Sequence, residues 1–280
     1  MHFLYSAFAD ESSNALAGQI DALKRNGFQY LEIRNVDKKN VSDLTLQEAK
    51  EKNAALRDNG LAVWSIGSRI GKIKIDEDFQ AHLDLYKHTL DLAGVFGASR
   101  IRLFSFYLPK EEDPAVYKDL VLERMAIFAN IAKSYGILAC HENEKGIYGD
   151  IASRCLDIHK AVPELRGVFD PANFVQCGQD TLEAWDMLKN YIDYMHIKDS
   201  LTDGRVVPPG DGAGNVQQLL RNFAAQGGKV LSLEPHLTEF VGFAALEEDG
   251  NKSAVGGLSF ESKPAAFDFA ANSLKKLTEV

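Results

Sequence analysis

Apolar positions follow two different spacings along the chain. Short runs rich in β-branched and aromatic residues, typical of buried strands, alternate with longer stretches in which apolar residues recur at the helical period. Eight such runs predict strands at Phe3–Ala7, Tyr30–Arg34, Ala62–Ile66, Arg100–Phe106, Ile137–Glu142, Gly167–Asp170, Ile192–Ile197 and Lys229–Glu234. Regular alternation with helical stretches is typical of repeated βα units, and eight units predict a single α/β domain folded as a (β/α)8 TIM barrel.

The stretches between these runs predict helices, and glycines mark where four of them end. Gly27, Gly60, Gly97 and Gly136 each follow a helical stretch and precede a strand, as a left-handed residue at a helix end requires. The predicted helices are Asn14–Arg25, Leu46–Asn59, Asp78–Phe96, Pro114–Tyr135, Ile151–Val162, Leu182–Asn190, Asn215–Gln226 and Pro264–Leu277.

The chain is predicted to form one domain over residues 1–280. No linker rich in Pro or Ser and no abrupt change of composition divides it. Residues 237–263 stand apart, because this Gly- and acid-rich stretch is longer than most barrel loops. We expect a lid or an insertion there.

The overall charge and hydropathy argue against several classes of partner. A formal net charge of −9 opposes binding to nucleic acid, whose partners usually carry a basic face. No apolar stretch is long enough to span a bilayer, and the first residues lack the basic and apolar regions of a secretory signal. We therefore expect a cytoplasmic protein with a small-molecule substrate and no nucleic-acid or membrane partner, and a homo-oligomer is left open.

Four consecutive predicted strands end in a residue that could bind a metal. These residues are Glu142, Asp170, His196 and Glu234. Active sites of barrels lie at the carboxyl ends of the strands, and the alternation of side chains along each strand turns all four inward. Two Glu, one Asp and one His suit one divalent ion, Mn²⁺, Mg²⁺, Co²⁺ or Zn²⁺. Each alone could be a helix cap or a core residue, but that explanation is strained for four successive strand ends.

The motifs around these positions resemble a known family. Glu142, Phe169-Asp170-Pro171 with Asn173, His196-Ile197-Lys198-Asp199 and Leu233-Glu234-Pro235 are similar to the sugar phosphate isomerase/epimerase family, the xylose isomerase-like barrels. In that family the matching Glu, Asp, His and Glu hold a divalent metal, commonly manganese, magnesium or cobalt. In its ketose 3-epimerase branch the two glutamates are also the acid/base residues, so the resemblance assigns this role to Glu142 and Glu234. It implies a small polyhydroxylated carbonyl substrate, such as a sugar, a sugar phosphate or a keto-inositol.

This ligand set suits proton abstraction next to a carbonyl through a metal-bound enediolate. Return of the proton to the same carbon gives epimerisation, and return to the neighbouring carbon gives isomerisation. The chain departs from the epimerase pattern at two places. Asn173 stands where the pattern has His, and Arg205 is the nearest candidate for an Arg expected closer to His196. A keto-inositol or keto-sugar dehydratase is therefore the runner-up.

Further side chains are predicted to line the pocket as substrate-binding residues. Strand alternation turns Glu32, Arg34, Trp64 and Arg102 inward, and Lys198 and His236 follow two of the ligands. Each could instead be a salt bridge or filler inside the barrel. The Gly-rich stretch 210–214 precedes a predicted helix, where it could cradle a phosphate or form a plain tight turn.

Two other functions share this fold. An endonuclease IV-type phosphodiesterase needs extra histidines for its three zinc ions, and this chain has Asn173 in place of one of them. A non-catalytic sugar-binding barrel would have no need of both Glu142 and Glu234. We therefore favour the enzyme with a single divalent ion.

Overall fold

The computed structural model describes residues 2–238 and 258–279. Eight parallel strands close into a barrel, in which each strand pairs with its neighbours in sequence and the first pairs with the last. The strands are β1 (Leu4–Ala7), β2 (Tyr30–Ile33), β3 (Ala62–Ile66), β4 (Arg100–Leu103), β5 (Leu138–Glu142), β6 (Arg166–Phe169), β7 (Ile192–Ile197) and β8 (Val230–Leu233). The predicted TIM barrel is confirmed.

The helices surround the barrel and follow the predicted order. They are α1 (Leu16–Arg25), α2 (Leu46–Asp58), α3 (Phe79–Phe96), α4 (Lys118–Ser134), α5 (Ala152–Ala161), α6 (Pro171–Gln176), α7 (Thr181–Leu188), α8 (Val216–Ala225) and α9 (Lys263–Thr278). Short 3₁₀ turns lie at Ala9–Glu11, Val41–Asp43, Pro114–Tyr117 and Tyr148–Asp150. Two small hairpins pair Asn35–Val36 with Lys39–Asn40 and Asp199–Ser200 with Val206–Val207.

Helix ends show the chemistry that the sequence predicts. Gly27, Gly60, Gly97 and Gly136 adopt φ angles of 66°, 72°, 69° and 70°, a left-handed conformation that glycine enters without a steric penalty. They end α1, α2, α3 and α4 just before β2, β3, β4 and β5. The turns that lead into four of the eight strands are thus fixed locally.

Three of the differences from the prediction have a clear structural basis. β4 ends at Leu103, because the chain leaves the sheet and Phe106 takes a φ of 66°, which a strand cannot accommodate. The predicted helix over 114–135 begins with a 3₁₀ turn before α4. α6 was not predicted; it starts directly after Asp170, whose carboxylate accepts a hydrogen bond from the Asn173 N–H.

The main hydrophobic core lies between the strands and the helices. Leu31, Ile33, Val63, Ile101 and Leu103 are buried there, so their neighbours along the strands point into the barrel. Among residues 2–238 and 258–279, no helix is long and apolar enough to cross a membrane. Residues 239–257 of the predicted lid or insertion lie outside the described residues.

Candidate metal centre

The four predicted ligands converge at the carboxyl end of the barrel. Glu142 ends β5, Asp170 directly follows β6, His196 lies near the end of β7, and Glu234 directly follows β8. Each offers a ligand atom, and these atoms all lie within 4.8 Å of one another. All four side chains are buried. One ion could contact all of them.

Two carboxylates hold the imidazole of His196 from opposite sides. Its Nδ1 lies 2.7 Å from Glu142 Oε1 and 3.5 Å from Glu234 Oε2, and its Nε2 lies 3.1 Å from Glu32 Oε2. Metal-binding histidines are commonly oriented by a carboxylate on the second nitrogen, which is the position of Glu32. Burial would lower the pKa of His196, but Glu142 and Glu32 raise it to about 10. The pocket therefore favours positive charge at this ring.

Three cationic side chains surround the four ligands. Lys198 Nζ lies 3.0 Å from Asp170 Oδ2, and Arg102 Nη1 lies 3.1 Å from Glu142 Oε2. Arg34 Nη1 donates to Glu234 Oε1 at 2.9 Å. Burial alone would raise the pKa of Glu234, but Lys198, His236 and His196 together hold it well below its ordinary value. This carboxylate is therefore ionised, as a metal ligand must be.

The donor set fits a divalent ion. Among the described residues, no donor is aligned on the buried Oε2 of Glu142 or the buried Oδ2 of Asp170, although a cation lies near each. Burial is also the main reason why the pKa of Asp170 is raised to about 7. Buried carboxylate oxygens without an aligned donor are costly, and coordination to a cation would remove that cost. Carboxylate and imidazole donors without thiolates suit Mn²⁺, Mg²⁺, Co²⁺ or Zn²⁺.

Asn173 supports the site from behind. Its side-chain amide donates to the backbone oxygen of Asn143 at 2.9 Å. Asn143 in turn pairs with the backbone N–H and C=O of Asp170 at 2.9 Å each. The two asparagines thus join the loops that carry Glu142 and Asp170. The pairing of Asn143 with Asp170 crosses from one loop to the next, and the sequence gives no signal of it.

A second group of charges after β1 extends the site. Arg34 donates to Asp10 at 2.9 Å and to Glu11 at 3.1 Å as well as to Glu234. His236 Nε2 lies 3.3 Å from Glu234 Oε1 and 3.4 Å from Glu11 Oε1. Burial raises the pKa of Glu11 to about 8 and lowers that of His236 to about 4. Asp10 and Glu11 were missed, although both closely follow the first strand and the search of strand ends, extended to β1, would have found them.

Two predicted residues are not brought to the cluster. Trp64 points into the barrel but lies in the layer nearer the amino ends, where its ring packs at 6.2 Å from that of Tyr194 and at 4.1 Å from the Arg100 guanidinium. Arg205 is exposed, and its guanidinium pairs with Asp203 at 2.8 Å. The Gly-rich stretch 210–214 forms a tight turn whose N–H groups are directed at Asp199.

The family follows from comparison with known proteins. A model of xylose isomerase-like TIM barrels matches residues 20–255. The chain belongs to this family. No curated protein sequence matches significantly, so the remaining comparisons are with solved structures.

Several solved structures share the whole fold of this family member at low sequence identity. D-psicose 3-epimerase from Clostridium cellulolyticum H10, solved with D-tagatose, is 15% identical with a TM-score of 0.74, and the match covers 99% of each chain. A probable 3-DHS dehydratase, AsbF, from Bacillus anthracis is 16% identical with a TM-score of 0.73 and the same coverage. The IOLI protein, solved with a zinc atom, is 16% identical with a TM-score of 0.74 over 99% of this chain and 98% of that chain. At these identities the likeness establishes the fold alone.

Proposed function

We propose that this family member is a metal-dependent isomerase or epimerase of a small polyhydroxylated carbonyl compound. One observation carries the proposal. Glu142 and Glu234 come from strands that are not neighbours, yet their carboxylates lie 2.7 Å and 3.5 Å from the same nitrogen of His196. A substrate held at this point would have a carboxylate on either side of it.

The ligands to the ion would be Glu142, Asp170, His196 and Glu234. When bound, a divalent ion would draw electron density from the substrate carbonyl and so acidify the neighbouring C–H. Glu142 would take this proton from one face, and Glu234 would return one from the other. Arg102 lies 3.1 Å from Glu142 and Arg34 lies 2.9 Å from Glu234, so each of the two glutamates has a cation beside it. Lys198 lies between Asp170 and Glu234, where it would orient a substrate oxygen.

The comparisons are consistent with this chemistry. Among the similar structures are a D-psicose 3-epimerase and a 3-keto-D-glucoside 4-epimerase, and others contain zinc or magnesium. We propose one ion per chain, and manganese, magnesium, cobalt and zinc all suit the donor set.

A keto-sugar or keto-inositol dehydratase is the second candidate. One observation favours it. Asn173 stands where the 3-epimerase pattern has His, and its side-chain amide is used to bind the backbone oxygen of Asn143. Dehydration would begin with the same removal of a proton and would continue with loss of a neighbouring hydroxyl. One of the similar structures is a probable 3-DHS dehydratase.

The test is solvent deuterium exchange with metal analysis. We would purify the protein without chelator, determine bound metal by elemental analysis, and follow exchange into ketoses, keto-inositols and their phosphates by NMR. The variants are Glu142→Gln and Glu234→Gln. Asp203→Asn is the control, because Asp203 is exposed and its ion pair is with the exposed Arg205. We expect about one equivalent of metal and loss of exchange in both Gln variants but not in the control.

Other outcomes would separate the alternatives. Loss of water from the substrate would identify the dehydratase. Two or three equivalents of zinc without exchange would favour the phosphodiesterase, and a protein that binds no metal would contradict the site itself.

A further inference from the structure

The buried cations around the metal centre are all paired with carboxylates. Arg34 contacts Asp10, Glu11 and Glu234, and Arg102 contacts Glu142. Lys198 contacts Asp170 and Glu234, and Lys72 Nζ lies 2.9 Å from Glu144 Oε2. Within the described residues, each positive charge of this network is thus already balanced.

Carboxylates outnumber cations in the same network. Four cations, Arg34, Lys72, Arg102 and Lys198, lie among seven carboxylates. Six of these contact the cations, namely Asp10, Glu11, Glu142, Glu144, Asp170 and Glu234. The seventh, Glu32, contacts His196. With His196 neutral as a metal ligand, the four cations and one divalent ion carry six positive charges. The formal total is then about −1 when all seven carboxylates are ionised, and about zero when Glu11 keeps its proton. The site with its metal bound would therefore have no excess positive charge with which to bind an anionic group of the substrate.

The stretch that could have cradled a phosphate is occupied by the protein itself. Asp199 accepts hydrogen bonds from the backbone N–H groups of Gly210, Gly212 and Gly214 at 2.9–3.0 Å, and from that of Ser200 at 2.9 Å. A Cβ at Gly212 would lie 2.3 Å from the Asp199 carboxylate, so the turn is closed tightly around this side chain. The donors that bind phosphate in other barrels are here used to hold a loop.

We propose that the substrate of this site carries no phosphate or carboxylate group and is an uncharged polyhydroxylated carbonyl compound. This inference rests on the proposed function and narrows it. An anionic group entering the buried mouth would lose its hydration without gaining a free cation. Substrate hydroxyls, in contrast, are donors, and an excess of carboxylate oxygens provides acceptors for them.

The test uses a matched pair of ligands that differ in one terminal group. A sugar-derived hydroxamate chelates a divalent ion through two oxygens, and it can be made with either a terminal hydroxyl or a terminal phosphate. We would measure both dissociation constants by calorimetry on the metal-loaded protein at physiological ionic strength. Both ligands lose the same hydroxamic proton on chelation, so they differ in the terminal group alone. We expect the hydroxamate with the terminal hydroxyl to bind about tenfold more tightly or better, because the terminal phosphate would lose its hydration without gaining a free cation. Equal or tighter binding of the phosphate ester would overturn the proposal.

A charge variant sharpens this experiment. Glu144→Gln removes one carboxylate beside Lys72 and is expected to narrow the preference severalfold. Asp84→Asn makes the same change of formal charge at an exposed position of α3 and should leave the preference as it is. An identical preference in Glu144→Gln would count against the charge argument.

The outcome is separable from that of the proposed function. Deuterium exchange into phosphate esters, together with tighter binding of the phosphate ester than of its partner ligand, would contradict the charge inference. It would still support the proposed proton transfer. Tighter binding of the hydroxamate with the terminal hydroxyl, without exchange into any carbonyl compound, would support the charge inference and contradict the proposed function.

Discussion

The two ends of the barrel interior are built from opposite kinds of residue. Near the amino ends of the strands, Cys140, Val168, Tyr194 and Val230 form a buried apolar cluster against which Trp64 packs. At the carboxyl ends, the interior is filled by the carboxylates, the imidazole and the guanidinium groups of the candidate metal centre. The same strands supply both layers, because side chains two residues apart on one strand point the same way.

The difference indicates which layer stabilises the fold. Removing charges from water costs several kcal/mol for each ion, and pairing returns only part of this. The apolar layer carries no such cost and gains free energy by burial. We infer that the amino end holds the barrel together, so that the carboxyl end can keep buried carboxylates close to one another.

A cavity by itself is not evidence of a catalytic site. A cavity of about 670 Å³ opens at the amino end and is lined in part by Trp64, Arg100, Asp193 and Lys229. Its one carboxylate, Asp193, is paired with Arg100 at 2.7 Å. At the carboxyl end, the pKa of Asp170 is raised and that of Glu234 is lowered. Shifted carboxyl groups of this kind cluster at active sites, and active sites of barrels lie at this end.

The largest effect is expected from removing the aromatic ring of the apolar layer. Trp64→Ala should lower the free energy of unfolding by about 3 kcal/mol, because it deletes contacts with Tyr194 and Tyr30. The dissociation constant of the metal should stay within about twofold, since the variant leaves the four ligands in place. Denaturant unfolding and metal titration would measure the two quantities, with Trp64→Phe as the milder control. A large loss of metal affinity without a loss of stability would contradict the idea that the apolar layer stabilises the fold and the polar layer binds the metal.

A smaller effect is expected at the residue that joins the layers. Glu32 accepts a hydrogen bond from Tyr194 Oη at 2.8 Å and contacts His196 Nε2 at 3.1 Å. Glu32→Gln should weaken metal binding by about 10–100-fold, because the imidazole loses the carboxylate that orients it. Tyr194→Phe is the matched control, since it removes the other bond to Glu32 and keeps the contact with His196. If both variants lost affinity equally, Glu32 would act through the apolar layer rather than through the ring.

Most of the fold could be predicted because its signals are local. The period of apolar residues separates strands from helices, and a glycine at a helix end reports a backbone conformation that other residues avoid. The clustering of the four predicted ligands could be foreseen because the barrel topology brings the carboxyl ends of successive strands to one place. Glu142 and Glu234 could therefore be expected to lie close together, although their positions in the sequence differ by 92.

The remaining parts depend on contacts between distant segments. The pairing of Arg34 with Glu234 and that of Lys72 with Glu144 have no sequence period. The alternation of side chains placed Trp64 inside the barrel but did not say in which layer. Trp64 lies in the middle of β3 and not at its carboxyl end, so its side chain is below the layer of the predicted ligands. Roles in substrate binding, the cytoplasmic location and the oligomeric state remain predictions.

The smallest effect concerns a neutral histidine that supports the carboxyl end. His82 on α3 is buried, and its Nε2 accepts the N–H of Gly71 at 2.8 Å, one residue before Lys72. Burial lowers the pKa of His82 to about 4. In the unfolded chain the pKa is about 6.5, so between these values the unfolded chain binds a proton that the folded protein does not, and stability falls as the pH falls.

His82→Gln should therefore weaken the pH dependence of stability. Gln can still accept the Gly71 N–H, but it does not titrate. Between pH 7 and pH 5.5 the wild type should lose about 1 kcal/mol more than this variant, as measured by urea unfolding at the two pH values. His2→Gln, at an exposed position, is the control and should behave as the wild type. An equal loss of unfolding free energy in all three proteins would show that the loop carrying Lys72 does not depend on a neutral His82. Other polar contacts would then have to stabilise this loop.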